Sequence, residues 1–263
     1  MMNRIADLFK RKRKNILNVY CTAGFPRLDS LVNVMHALQN NGADMIEIGM
    51  PYSDPLADGP VIQASSTRAL ANGMTLSLLF DQIREMRIEN FPNGKLEIPI
   101  LLMGYLNPIL QYGFEKFCRD AAAAGVDGLI LPDLPMYEFE TEYGQILKRY
   151  GLDFIFLVTP ETSEERIRKL DELSHGFIYA VSSSSTTGKN KDMSMQESYF
   201  KRLDAMKLKN PILIGFGIRD KASFSKACEY ANGAIIGTAY IQAIDGGVDI
   251  EASTKKFLDA ILK

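Results

Sequence analysis

The chain has 263 residues, 46% hydrophobic and 24% charged, with a formal net charge of −2. That composition supplies ample apolar residue for a core, carries no basic field of the kind that draws nucleic acid, and suits one large α/β barrel or two small domains. The three cysteines, Cys21, Cys118 and Cys228, are far apart and form no CxxC pair. A zinc site or disulfide framework is therefore not expected, and a cytoplasmic location fits. No apolar run approaches a membrane span.

In chain order, Asn3 to Lys12 reads as a short helix. The basic run Lys10-Arg11-Lys12-Arg13-Lys14 closes it and complements its C-terminal dipole. The apolar segment that follows, Ile16 to Tyr20, is too short for a signal peptide and begins a first strand, Ile16 to Thr22. Leu31, Val34, Met35 and Leu38 recur at helical spacing, and Gly42 ends that helix. Asp44 to Gly49 is a second strand and Leu76 to Met86 a helix. A polar turn over Asn90 to Glu97 leads to a third strand, Ile98 to Gly104. Phe114, Phe117, Cys118 and Ala121 form a helical stripe ended by Gly125. Val126 to Leu131 is a fourth strand, followed by a helix from about Tyr137 to Arg149. Asp153 to Val158 is a fifth strand, and Thr162-Ser163-Glu164-Glu165 is a capping box for a helix continued by Ile167, Leu170 and Leu173. Gly176 to Val181 is a sixth strand. A long polar loop, Ser182 to Met193, precedes a helix near Glu197 to Met206. Pro211 to Gly215, a helix near Ala222 to Tyr230, Gly233 to Ile236 and a helix near Glu251 to Leu262 complete the chain.

Eight near-continuously apolar strands alternating with helices imply a parallel sheet covered by helices. Eight such units in about 250 residues is the count of a (β/α)8 TIM barrel, here with an extra N-terminal helix and as one domain over residues 1–263. A doubly wound sheet is the runner-up, but Thr22-Ala23-Gly24-Phe25-Pro26 after the first strand is not its glycine fingerprint.

In a barrel, chemistry sits at the C-terminal ends of the strands and in the loops after them. The stretch Glu47 to Pro60 stands out. Alternation places Ile46 and Ile48 on one face of the second strand and Met45, Glu47 and Gly49 on the other, so an acid lies mid-face in an apolar strand. Pro51, Pro55, Gly59 and Pro60 then stiffen a loop that carries Asp54 and Asp58. The two histidines, His36 within a helix and His175 ahead of a strand, are placed away from that end, and no strand ends in lysine. Histidine-ligated metal, serine–histidine triads and Schiff-base chemistry are thereby set aside. What remains is carboxylate acid–base chemistry on Glu47, Asp54, Asp58 and Asp133, with Tyr105 and Tyr179 nearby. A paired structural glutamate, and turn roles for Asp54, Asp58 and Asp133, are the alternatives. Burial should raise Glu47 from ~4.3 toward roughly 6–7, while Asp58, on a polar loop, should stay ionised. A second constellation suits phosphate: Gly215-Phe216-Gly217 and Gly237-Thr238-Ala239 end the last two strands, where barrel enzymes often bind phosphate, and Thr187-Gly188 could add donors. Tight strand–helix turns would also use those glycines. The loop also combines Met50, Tyr52 and Leu56 with its prolines, which suits an exposed docking surface.

These motifs resemble the tryptophan synthase alpha subunit family over essentially the whole chain. The resemblance rests on Glu47-Ile48-Gly49 running into Pro51-Tyr52-Ser53-Asp54-Pro55-Leu56-Ala57-Asp58-Gly59-Pro60, then Leu131-Pro132-Asp133-Leu134-Pro135, Gly215-Phe216-Gly217 and Gly237-Thr238-Ala239. It implies a barrel that cleaves indole-3-glycerol phosphate to indole and glyceraldehyde 3-phosphate. Glu47 would be the general acid–base and Asp58 the acceptor for the indole N–H. Tyr179, with Tyr105 and Thr187, would contact substrate, and Gly188, Gly217, Gly237 and Thr238 would hold the phosphate. The chain would carry no cofactor. Its partner would be a pyridoxal-phosphate beta subunit in an α2β2-type complex, with Pro51 and Asp54 near the contact. The sixth loop departs from the family pattern: Ser185-Thr186-Thr187-Gly188 begins with serine where glycine is usual, and Thr238 stands where serine is frequent. A free-standing lyase that releases indole, or another phosphate-binding barrel enzyme, are the competing expectations.

Overall fold

Nine short parallel strands follow one another around a curled sheet in this computed structural model, which describes residues 3–88, 94–181, 193–215, 217–246 and 249–263. They are β1 (Ile16–Thr22), β2 (Met45–Gly49), β3 (Ile100–Met103), β4 (Gly128–Ile130), β5 (Asp153–Phe154), β6 (Leu157–Val158), β7 (Ile178–Val181), β8 (Ile212–Gly215) and β9 (Gly233–Ile236). Their order is β5-β4-β3-β2-β1-β9-β8-β7-β6. The ends of that series are the two halves of the expected fifth strand. β5 pairs with β4 and β6 with β7, and between them Ile155 N–H donates to Leu129 while the Phe156 carbonyl accepts from Tyr179 N–H. The stave is split because it changes neighbours there, and the change closes the barrel.

Side chains alternate as expected. Ile46 and Ile48 join the apolar layer under the helices, whereas Met45 points inward with Leu101, Ile130, Ile155, Leu213 and Ile235. This inward set is the filled interior of a small barrel. The N-terminal helix, Arg4–Arg11, starts at Asn3, whose side chain accepts from Ala6 N–H. It closes the floor by burying Ile5 and Leu8, and Phe9 lies 6.1 Å from Phe177. From the basic run, Lys12 pairs with Asp44 at 2.6 Å, and Lys14 donates to the Cys228 and Ala231 carbonyls at the end of the helix Lys221–Tyr230.

Three helices lay outside the sequence reading: Pro60–Ala71, Leu106–Tyr112 and Thr238–Ile244. The first carried a signal in Gly59-Pro60, since proline is preorganised for the first helical position. The helix expected near Tyr137 to Arg149 runs as Met136–Glu138, a π-helical turn Phe139–Tyr143 and Gly144–Tyr150. The expected capping box is corrected as well. Ser163, not Thr162, caps Glu164–Leu173, accepting from Arg166 N–H, while Thr162 Oγ1 turns back to accept from Thr159 N–H. The reciprocal box lies at Asp220 and Ser223. No described helix is long and apolar enough to cross a membrane.

The floor also holds a buried ion cluster. Asp127 accepts from Arg4 at 2.8 Å, from Arg87 at 3.0 Å and from Ile100 N–H at 2.8 Å, and the Arg87 and Asp127 side chains are 8% and 6% exposed. Arg87 also donates to the Leu96, Ile98 and Gly125 carbonyls. Burial pulls the Arg87 guanidinium down to about 10, and Asp127 opposes this. Removing one member of such a cluster strands the other charge in an apolar setting. Asp127→Ala should therefore destabilise the fold by about 3–5 kcal/mol in urea unfolding, whereas a change under about 1 kcal/mol would mean the charges are hydrated in solution.

Candidate active site

Glu47 lies on the inward face of β2, paired in register with Tyr20 of β1 and Leu101 of β3, and is 1% exposed. Its Oε2 accepts from Asn18 Nδ2 at 2.8 Å. Burial pushes its carboxyl up to about 8; the Asn18 hydrogen bond opposes that rise and the charge of Asp58 adds to it. This exceeds the value expected from the sequence, because among the described residues the interior around Glu47 offers one hydrogen bond and no cation.

The loop after β2 delivers Asp58. Asp58 N–H donates to the Pro55 carbonyl at 3.0 Å, and Gln63 Nε2 donates to the Asp58 carbonyl at 2.9 Å, so a turn is tied to the first turns of helix Pro60–Ala71. Tyr105 OH donates to Asp58 Oδ2 at 3.2 Å and accepts from Ala57 N–H at 3.0 Å. Asp133 holds the segment bearing Tyr105: both its carboxylate oxygens accept from Leu106 N–H, at 3.0 and 2.9 Å. Asp133 thus supports a neighbouring loop rather than bonding its own turn. Asp58 was expected to stay ionised on a polar loop. It is half-buried, and burial pushes it up to about 6 against the Tyr105 hydrogen bond. At pH 7 it is still mainly ionised, so the two carboxyls hold different protonation states.

Tyr20 and Tyr179 project into the barrel mouth. Their phenols are pushed well above the ordinary value, first of all by burial, and stay neutral. Two glycines make room for them. A Cβ on Gly49 would lie 2.0 Å from Tyr20 OH, and one on Gly215 2.5 Å from Tyr179 OH. The described residues enclose a cleft of about 460 Å³ that brings together Glu47, Asp58, Tyr179, Gly217, Gly237 and Thr238. Gly217 has φ +78°, a backbone that glycine favours, and Gly237 caps the helix Thr238–Ile244. Thr187 and Gly188 lie outside the described residues.

Tyr105 does not line this cleft. It lies behind Asp58, beside a small pocket shared with Met50 and Pro55. Asp54 is exposed, accepts from Ser53 Oγ, and its carbonyl accepts from Leu56 N–H at 2.9 Å, a local turn. Pro51 is half-buried and Leu56 is 89% exposed. Met50, expected among the exposed apolar groups of that loop, is 6% exposed because it packs beneath Gly104. Two site residues escaped the sequence reading, Asn18 and Tyr20. Both follow Ile16 at period two along β1, so an inward polar residue was readable there. His36 is buried in helix Ser30–Asn40, and His175 N–H donates to the Phe154 carbonyl, so neither lines the cleft. Among the described residues no three histidine, cysteine or acidic side chains converge as a metal site.

The family profile described as "Tryptophan synthase alpha chain" matches residues 5–261. The tryptophan synthase alpha chain of Parabacteroides distasonis is 51% identical over 99% of both chains, and that of Bacteroides thetaiotaomicron 49% identical over 99% of this chain and all of its own. Among solved structures, tryptophan synthase subunit alpha from Legionella pneumophila aligns with a TM-score of 0.87 at 34% identity, over 99% of this chain and 97% of that one. A chain of M. tuberculosis tryptophan synthase in its aminoacrylate-bound form aligns at 0.84 and 32% identity, over 99% of this chain and all of that one. Fold, cleft and likeness define a (β/α)8-barrel lyase. Within that class the chain belongs to the tryptophan synthase alpha chain family, and its reaction is the cleavage of indole-3-glycerol phosphate.

The cleft sets a pH window. A neutral Glu47 is lost as pH rises through about 8, and an ionised Asp58 is lost as pH falls through about 6. If both forms are needed, kcat/KM follows a bell with limbs near those values, which belong to the interacting pair rather than to either group alone. Asp58→Asn should remove the contribution of Asp58 to the acidic limb while keeping the basic one. An unchanged acidic limb would assign it to the substrate phosphate.

Proposed function

We propose that Glu47 and Asp58 divide the retro-aldol chemistry between them. The observation that carries this is the pair of carboxyls facing one cleft with separated proton affinities, about 8 and about 6. Cleavage needs a proton on the indole ring carbon that carries the glycerol chain, and loss of a proton from the glycerol hydroxyl. Glu47 enters protonated, gives its proton to the ring carbon and, as the carboxylate, takes the hydroxyl proton while the carbon–carbon bond breaks. One group serves both steps because its pKa lies near the working pH. Asp58, ionised, accepts from the indole N–H and stabilises the positive charge that grows on the ring when the carbon is protonated. Tyr105 holds Asp58 by its hydrogen bond. The phosphate is held at Gly217, Gly237 and Thr238, where backbone N–H groups and the threonine hydroxyl can reach an anion; Thr187 and Gly188 complete that reading from the sequence. Tyr179 packs against the substrate. The steps call on no cofactor in this chain, residues 1–263 act as one domain, and the enzyme is cytoplasmic.

The partner is a tryptophan synthase beta subunit carrying pyridoxal phosphate, in an α2β2-type complex. The face that docks is the loop bearing Pro51, Asp54 and Leu56, where a large apolar side chain stands open on a proline-stiffened frame. A preordered loop loses little entropy on binding. Docking raises lyase activity by favouring the arrangement that fixes Asp58.

Glu47→Gln keeps size and packing and removes the proton relay, so turnover should fall by ~10²–10⁴ with the fold intact by circular dichroism. Turnover within a few-fold of the parent would refute the assignment. Titration with the cognate beta subunit, followed by mass and by indole formation, should give a complex with a raised cleavage rate. Charge reversal at Asp54 should weaken assembly and spare the basal rate; absence of a complex would leave the free-standing lyase as the reading.

A further inference from the structure

Asn18 is the polar residue nearest to Glu47 that the chemistry above does not use. It sits on β1 at 0% exposure, inside a barrel whose inward residues are otherwise almost all apolar. Its amide nitrogen donates to Glu47 Oε2 at 2.8 Å, a bond buried at both ends. The other end of the same amide, Oδ1, is buried with no hydrogen-bond partner among the described residues. An unmatched buried carbonyl is a cost to folding, and leucine would fill a similar volume without that penalty.

The arrangement makes sense if Glu47 changes its needs. A carboxylate only accepts hydrogen bonds, whereas a protonated carboxyl also donates one. An amide offers one donor and one acceptor on ends of nearly equal shape, and its last torsion is broad and roughly two-fold. A half-turn about that torsion exchanges the two ends without needing space. We propose that Asn18 is a positioning residue that holds the Glu47 carboxyl through its proton cycle, donating from Nδ2 to the carboxylate and turning to accept at Oδ1 from the carboxylic acid. No covalent bond changes; the proton stays on Glu47 until the substrate takes it. This inference rests on Glu47 being the acid–base of the reaction.

The other groups that face Glu47 do not take over this task. Tyr20 of β1 and Tyr179 of β7 are held neutral chiefly by burial, and the Tyr20 hydroxyl takes its hydrogen bond from Thr22; Asp58, on the loop after β2, adds a negative charge but no hydrogen bond to the Glu47 carboxyl. On the strands beside Asn18, its register partners are Met45 of β2 and Ile235 of β9, both apolar. Among the described residues Asn18 is thus the polar group hydrogen-bonded to the carboxyl, and its amide can match both states. The bond to the charged form is the stronger of the two, so losing both makes Glu47 harder to ionise.

The test is Asn18→Leu in the full chain. Turnover should fall about tenfold or more with KM within about twofold, and the basic limb of kcat/KM should move up by at least about half a pH unit. A folded Asn18→Leu with an unmoved basic limb would overturn the proposal even if turnover fell, because loss of packing alone slows an enzyme without retuning it. Should the variant not fold, the unsubstituted protein decides by NMR. The Asn18 side-chain amide resonances and the Glu47 carboxyl carbon should shift with one common midpoint between about pH 5 and 10, and an amide that stays still while Glu47 titrates would refute the coupling. Failure of the two readings is separable. Full turnover in Glu47→Gln removes the proton cycle and both ideas with it, whereas an inactive Glu47→Gln beside an unaltered Asn18→Leu removes this one alone.

Discussion

A carboxyl group that is 1% exposed inside a ring of strands is short of solvation in its charged form, and much of the architecture follows from where that shortage is tolerated. Deeper in the barrel the interior is filled with aliphatic side chains, and a carboxylate there would need a cation. At the floor that solution is in place, with Asp127 held by Arg4 and Arg87. Among the described residues Glu47 has no such cation. It has one amide, and its proton affinity rises as a result. The same functional group thus meets two fates in one barrel. Paired with arginine at the bottom, a carboxylate closes the structure; without a cation beside it at the top, a carboxyl keeps its proton near neutrality.

Placement of the second carboxyl depends on three consecutive loops. Asp133, after β4, captures Leu106 N–H; this fixes Tyr105, after β3; Tyr105 then bonds Asp58, after β2. Gln63 closes the arrangement by gripping the Asp58 carbonyl from the helix that follows. Helix Pro60–Ala71 is itself tied to the barrel, since Ser65 and Thr22 hydroxyls lie 2.7 Å apart across it. Prolines alone would stiffen the β2 loop but would not aim it. The hydrogen bonds aim it, and each comes from a neighbouring strand–helix unit. Geometry at one carboxylate is therefore a property of a third of the barrel, which is how a site on loops gains the precision of one on strands.

How much of this was readable from residues alone divides along a physical line. Periodicity reports which face a residue occupies, so the inward direction of Glu47 and the outward one of Ile46 and Ile48 were legible, as was the barrel itself. The acidity of Asp58 was not. A polar loop reads as solvated, yet Tyr105, which the linear sequence does not set beside it, bonds it from the loop after β3 and shields it. Met50 failed for a related reason: a loop methionine reads as exposed until the space left by Gly104 is known. The three extra helices were lost because two are only seven residues long, too short for a period to declare itself, and the third has little amphipathic contrast. Asn18 and Tyr20 were legible to alternation along β1, and a neutral amide on an inward face is as unusual as an acid there.

The glycines at the strand ends connect these observations to the shape of the substrate. Gly49 and Gly215 each leave a gap that a neighbouring tyrosine ring occupies, so Tyr20 and Tyr179 lie inside the mouth and floor the cleft. Without those gaps the rings would be driven upward into the space a substrate must use. Around that floor the rim is asymmetric. The side built by β2 and the loop after it carries Glu47 and Asp58, and the side built by β8 and β9 carries Gly217, Gly237 and Thr238. An aromatic phosphate ester is asymmetric in the same sense, with a ring nitrogen that wants an acceptor at one end and a dianion that wants N–H donors and no carboxylate at the other. Reversed binding would set the dianion against Asp58, and like charges disfavour that pose without any steric barrier. The asymmetry across the barrel mouth therefore favours, by electrostatics alone, one direction for such an ester in the cleft.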